Sequence, residues 1–350
     1  MIRFFKETLN PACFHGHHKR GPFFEGWYFK LVDAAGKHLF AVIPGIFLAK
    51  DPLKSHAFIQ VFDGQTGKMT YHSYPIEDFH AASGIFDVRI AENRFAPGFV
   101  SLAIKDASRE IHGDLYFRNI NPWPVTVLSP GIMGWYAWAP FMQCYHGVVS
   151  LDHKIEGTLT IDSKDIDFTR GRGYTEKDWG QSFPECWIWF QSNHFPESDV
   201  SITASTAIIP WIRGAFPGFI VGFWHGRQLY KFATYTGAKI EELKISEKNI
   251  SWVLRDRRHR LEMQAAPSTQ TGLLQAPTPN GMNRKIAETL NASVEVQLSV
   301  LEGGEFQRIY SGAGRHAGME TVGDLDKLLA MWKLGAGAHS TNFSDSSGNA

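Results

Sequence analysis

Residues 171–195 hold the groups best suited to chemistry. Gly171-Arg172-Gly173-Tyr174-Thr175-Glu176-Lys177-Asp178-Trp179-Gly180 runs through Phe183-Pro184 into Glu185-Cys186-Trp187-Ile188-Trp189-Phe190-Gln191-Ser192-Asn193-His194-Phe195. Glu176 and Asp178 are two apart, and residues two apart on a strand share a face. A carboxyl group among aromatic side chains has its charged form disfavoured, so its pKa rises. A second carboxyl on the same face raises it further. Trp187 and Trp189 would share a face in the same way. The stretch therefore predicts proton chemistry in an apolar pocket. The plainer alternatives are a turn cap or a Lys177 or arginine partner for Asp178, and a solvated position for Glu176.

Composition sets bounds on what surrounds this stretch. The chain has 350 residues, 43% of them apolar, and 35 basic residues balance 35 acidic ones. That balance gives no electrostatic reason to expect nucleic acid. The aromatic content, 26 Phe, 11 Trp and 10 Tyr, fits either a β-rich core or an aromatic-lined cavity for a large apolar ligand. Cys13, Cys144 and Cys186 are too widely spaced for a disulfide framework or a zinc site. A reducing, cytoplasmic setting is expected, and no secretory signal is read at the start. Residues 124–145 carry no charge, but Pro124, Pro130, Pro140, Gly131 and Gly134 interrupt them. They read as a buried or membrane-touching loop rather than a span. His15-Gly16-His17-His18 lacks further ligands at metal spacing, so a loop covering a barrel end is expected there.

The elements that position the central stretch read as strands. Residues 23–32, 38–43, 57–62, 69–74, 86–90, 99–104 and 111–117 are short apolar or aromatic runs. Turn residues separate them, as in Asp63-Gly64 and Thr66-Gly67. Residues 145–151 and 154–161 read as two strands joined at Asp152-His153, and residues 1–22 as an irregular lead-in. No long helical repeat or phosphate-binding glycine loop is present, which excludes a nucleotide-binding α/β fold and leaves an all-β antiparallel barrel or sandwich.

The second half repeats the first. Glu185–Phe190 parallels Glu25–Lys30, and Gly218–Gly226 parallels Ala57–Gly64, at nearly one offset. A duplicated unit is expected, each copy sized for an eight-stranded barrel able to hold one ligand. The units are placed at residues 1–165 and 166–335, with a disordered tail at 336–350. Residues 250–254, 261–265, 292–301 and 306–311 read as strands, 271–283 as a loop, 312–318 as a turn, and 324–334 as a helix. Arg255–Arg260 is a basic hairpin tip, solvated or in contact with anionic lipid headgroups.

Several long motifs resemble the tocopherol cyclase family. They are Gly173–Gly180, Phe183-Pro184 and Trp187–Phe195, together with Phe24–Lys30, Ser129–Tyr136, Pro140–Met142 and Cys144–Gly147. The resemblance runs from about Asn10 to Leu328. It implies two tandem lipocalin-like antiparallel β-barrels, like those of the related carotenoid hydratases. It also implies closure of a prenylated quinol to a chromanol without cofactor or metal: a proton adds to a tail alkene, and the phenol oxygen captures the cation.

On that chemistry, Asp178 or Glu176 supplies the proton, and Trp27, Trp187 and Trp189 present π-faces to the cation. His194, Glu25 or the second carboxylate accepts the phenol proton. Tyr174, Trp179, Gln191 and Tyr136 complete the substrate site, Tyr174 as a donor to a quinol oxygen. Four of these have structural alternatives. Glu25 could close the barrel by pairing with Arg172, Trp27 resembles the structural Trp at the base of lipocalin barrels, Trp187 is its counterpart in the second unit, and His194 could be a hydrogen-bonded loop residue. The expected partner is an apolar prenyl or isoprenoid molecule, with peripheral membrane contact an open possibility. The alternative functions are a hydratase, in which water captures the cation, and a non-catalytic carrier.

Overall fold

The computed structural model describes residues 2–338. Helix α1 (Ile2–Thr8) precedes two large antiparallel sheets, and helix α2 (Leu325–Ala338) follows them. The first sheet opens with β1 (Phe23–Val32), β2 (Leu39–Leu48), β3 (His56–Asp63) and β4 (Met69–Tyr74). It continues with the short strands β5 (Phe79–Ala81), β6 (Val88–Ile90) and β7 (Asn93–Ala96), then β8 (Phe99–Lys105) and β9 (Glu110–Arg118). It ends with β10 (Cys144–Ile161), β11 (Lys164–Asp167) and β12 (Gly171–Gly180). The second sheet holds β13 (Trp187–Ser192), β14 (Ser201–Trp211), β15 (Gly214–His225), β16 (Gln228–Ala233) and β17 (Lys239–Ile245). Its remaining strands are β18 (Ile250–Arg255), β19 (His259–Ala266), β20 (Gly272–Thr278), β21 (Gly281–Glu302) and β22 (Glu305–Val322).

The two sheets share one plan. The order is β4-β3-β2-β1-β12-β10-β9-β8-β7-β6-β5 in the first and β16-β15-β14-β13-β22-β21-β19-β18-β17 in the second. In each, the opening strand pairs with the second strand on one side and the last strand on the other. The strands matched by the sequence repeat, β1 with β13 and β3 with β15, occupy equivalent positions. Among the described residues no ladder joins β4 to β5 or β16 to β17, so neither sheet closes by backbone hydrogen bonds. Strand β12 lies between β1 and β10 in the first sheet, although the sequence reading placed residues 171–180 in the second unit.

Side-chain alternation decides what each sheet buries. On β1, Trp27, Phe29 and Leu31 join one core with Val42, Val61, Val100, Leu115 and Leu159 from across the first sheet. Phe24, Gly26, Tyr28 and Lys30 point the other way, and all but Gly26 are nonetheless buried, because the second sheet covers that face. Ile188, Phe190, Val221, Trp252 and Val296 fill the equivalent core of the second sheet. A third cluster joins the sheets, with Tyr28, Ala41 and Tyr174 against Trp187, Trp189 and Leu290. Polar contacts cross the same seam. Lys30 Nζ donates to the His316 carbonyl at 2.9 Å, and the Gln60 amide pairs with the Gln275 backbone at 3.0 and 2.8 Å.

Five local expectations change. Residues 2–8 form α1, which stacks Phe5 on Trp138 at 5.2 Å. Residues 144–161 are one strand, because the ladder to β12 absorbs register shifts around Ser150 instead of breaking at Asp152-His153. Residues 272–302 form the β20–β21 hairpin, and β22 runs straight through the glycines at 312–318. Of the residues expected as a tail, 336–338 belong to α2, and 339–350 lie outside the described residues. The uncharged segment forms 3-10 turns at Gly131–Trp138 and reaches across to the second sheet, where Tyr235 Oη donates to the Ile132 carbonyl at 2.7 Å. Gly134 sits at φ 58°, and a Cβ there would lie 2.5 Å from the Tyr235 ring, so only glycine seats the turn this closely.

Candidate active site

The chemistry-bearing face of β12 is set by its two neighbours. Asp178 is opposite Gly26 on β1 and His146 on β10, while Glu176 is opposite Tyr28 and Val148. Glu176 and Asp178 therefore share the face turned toward the second sheet, and Thr175, Lys177 and Trp179 take the other. His146 Nδ1 lies 2.9 Å from Asp178 Oδ1, and its Nε2 lies 3.7 Å from Glu176 Oε2. Tyr174 Oη donates to Glu176 Oε2 at 2.5 Å and is 3.3 Å from Thr203 Oγ1 of the second sheet.

Burial and charge oppose each other in this cluster. Burial disfavours the imidazolium, but the carboxylates of Asp178 and Glu176 outweigh it and push His146 up to about 9. Burial pushes Glu176 up to about 7 against the pull of His146, with the Asp178 charge adding to the rise. One atom each of His146, Glu176 and Asp178 lies within 4.8 Å of the others, a donor set that could take a divalent cation. A cation there would first have to displace the imidazole proton.

The second sheet contributes a facing pair of acids. Glu320 on β22 is the ladder partner of Glu288 on β21 and of Trp189 on β13. Trp187 Nε1 donates to Glu320 Oε2 at 2.7 Å, and Tyr28 Oη of the first sheet donates to Glu288. Burial pushes Glu320 up to about 8 despite the Trp187 bond, and the charges of Glu176 and Asp178 across the gap add to it. Glu288 is held well above the ordinary carboxylate range by burial and by Glu320.

These groups meet at a cavity between the sheets. Gly26, Tyr28, His146, Glu176 and Asp178 line one wall, and Trp187, Trp189, Phe219, Ile220 and Glu320 the other. Met133, Tyr136 and Met142 of the uncharged segment line it as well. Phe24, Ile43, Phe58, Ile209 and Phe216 make the rest of the lining largely apolar. The cavity thus lies outside the packed core of either sheet, not within one barrel as the repeat had suggested.

The structure sorts the residues singled out from sequence into two groups. Glu176, Asp178, Trp187, Trp189 and Tyr136 line the cavity, and Tyr174 touches it through Glu176. The others point elsewhere. Glu25 is fully buried on the opposite face of β1, 2.6 Å from Lys177 Nζ, and accepts from the His15 backbone N–H. Its partner is therefore Lys177; Arg172 pairs with Asp152 instead. Trp27 stacks on Phe86 inside the first core at 5.1 Å, with its Nε1 donating to the Ala12 carbonyl. Trp179 is sandwiched between the rings of His15 at 4.4 Å and Tyr145 at 5.4 Å. Gln191 is wholly buried without a protein hydrogen bond to its amide. His194 is half-buried against His316, and desolvation pushes its imidazole well below the ordinary value. None of these five lines the cavity. Conversely, the sequence reading gave no role to His146, Tyr28, Glu288 or Glu320. His146 stood within a recognised motif, whereas Glu320 lay beyond residues read as a turn.

A profile of the family described as tocopherol cyclase-like matches residues 103–323. The chain is 25% identical over 204 residues to the chloroplastic tocopherol cyclase of Zea mays, covering 54% of this chain and 41% of that protein. It is 24% identical over 220 residues to the probable chloroplastic tocopherol cyclase of Oryza sativa subsp. japonica, covering 59% and 45%. The matched region thus spans less than half of these relatives. The crystal structure of CghA with Sch210972 superposes with a TM-score of 0.53 at 11% identity, covering 86% of this chain and 89% of that one. At that identity the likeness is one of fold. The chain belongs to the tocopherol cyclase-like family.

Proposed function

We propose that this member of the tocopherol cyclase-like family closes a prenylated quinol to a chromanol by proton-initiated cyclisation in the inter-sheet cavity. The observation that carries the reading is the pairing of unlike walls. A carboxyl pushed up to about 8, Glu320, faces an Asp178–His146–Glu176 cluster across an aromatic gap. Glu320 remains largely protonated at neutral pH and gives its proton to the tail alkene. The tertiary cation forms beside the faces of Trp187 and Trp189, whose quadrupoles favour positive charge. The phenol oxygen forms the ring C–O bond, and its proton passes to the Asp178 carboxylate, which His146 orients. That proton returns to Glu320 through bulk water on turnover, so the net reaction is an isomerisation. The apolar lining keeps water from the cation.

Within this reading each sheet is a lipocalin-like barrel left without a closing backbone ladder. The domains divide at residues 181–186, between β12 and β13. The experiment is incubation of the purified protein with a panel of prenylated quinols and linear isoprenoids, with products separated by chromatography and identified by mass and ultraviolet absorption. Ring closure without mass change supports the proposal. A gain of one water shows a hydratase, and retained ligand without turnover shows a carrier.

A further inference from the structure

The cavity mouth is bordered by an exposed apolar surface that the cyclisation does not use. Leu128 is 87% exposed, Ile212 77%, Phe141 54% and Trp135 48%. They come from two segments distant in sequence and joined in space. Trp135 and Phe141 lie in the uncharged loop, and both rings pack against Trp211 at the β14–β15 tip, at 6.4 and 5.0 Å. The next residues inward, Tyr136, Met142, Ile209 and Phe216, line the cavity, so the outer surface is continuous with its wall. Such an exposed patch on a protein of balanced charge calls for a partner.

The charge pattern says which partner. Residues 119–151 contain no Asp, Glu, Lys or Arg, and residues 200–226 contain only Arg213, at the tip beside Ile212. These two segments bring no carboxylate to the rim, Trp and Tyr rings populate it, and Arg213 marks its edge. Aromatic rings and a basic residue around an apolar face suit the boundary between lipid headgroups and acyl chains. A protein partner would be expected to demand polar complementarity that this rim does not offer.

We infer that the rim formed by residues 125–141 and the β14–β15 tip docks onto a lipid bilayer. The cavity mouth then faces the acyl layer, and an apolar substrate enters without crossing water. The delivery role rests on the proposed function; the docking itself does not. Trp135, Phe141 and Ile212 would dip below the headgroups while Arg213 meets lipid phosphate.

The test is co-sedimentation of the full chain with vesicles of phosphatidylcholine mixed with phosphatidylglycerol. We compare it with the triple variant Trp135→Ser/Phe141→Ser/Ile212→Ser and with Tyr116→Ser, which alters an exposed ring on β9. These side chains are exposed, and unchanged thermal unfolding would verify folding. The expected result is wild-type binding, a roughly tenfold or greater loss of partitioning in the triple variant, and no change for Tyr116→Ser. Absence of wild-type binding, equal binding by the triple variant, or equal loss in Tyr116→Ser would overturn the inference. A short-tailed quinol presented in detergent separates the two proposals. Turnover there by the triple variant leaves the cyclase reading standing whatever the vesicles show, and vesicle binding without any turnover does the reverse.

Discussion

Glu320 is where burial has the clearest consequence. Its carboxyl is pushed from 4.5 to about 8, so the folded protein holds a proton that the unfolded chain releases between those values. The folded state then binds more protons than the unfolded one, and stability falls as pH rises from about 4.5 to about 8. Glu320→Gln should flatten that decline in chemical denaturation followed across pH; an unchanged slope would remove Glu320 as the source. The same substitution should lower kcat by about 10²–10⁴ with little change in KM, the size expected for a lost general acid. Asp178→Asn should lower kcat and leave ligand binding intact; an equal loss of stability and activity would make Asp178 structural. Of these residues, Asp178 and Glu176 were legible in sequence, because two-residue spacing on a strand needs only local order. Glu320 was not, because its partners Trp187 and Glu288 are distant in sequence.

Strand pairing explains which readings survived. The alternation on β13 put Trp187 and Trp189 on one face, as the structure has them, since strand period alone decides it. The glycines at 312–318 look like a turn, yet β22 continues through them to Glu320 because other side chains fill the space. A Cβ on Gly318 would lie 2.8 Å from the Trp189 ring. Gly318→Val should therefore displace Trp189 and weaken ligand binding, which calorimetry with a product analogue would measure. On the far face of β1 and β12, Lys177 also donates to the Pro11 and Cys13 carbonyls, tying the lead-in to the sheet. Glu25→Gln leaves that lysine buried without its charge partner and should cost about 3–5 kcal/mol in denaturant unfolding. The folded fraction should keep its kcat; a specific loss of turnover would return Glu25 to the chemistry.

For the whole molecule, the repeat in sequence announced two similar sheets but not how they meet. The contact is made by residues that alternate away from both cores, and single-strand periodicity cannot say what covers that second face. Because the buried Tyr28, Lys30, Gln60 and Tyr174 all make contacts with the facing sheet, the sheets should unfold together. Calorimetry should show one transition, and Trp252→Ala, deep in the second core, should lower it as a whole; two separable transitions would mean an independent second sheet. If a proton from the protein starts ring closure, single turnover in deuterated water should leave its mark on the product. The expected product is a closed ring carrying one deuterium on a tail carbon, with the yield collapsing in Glu320→Gln. A closed ring without carbon-bound deuterium, or full yield from Glu320→Gln, would contradict it.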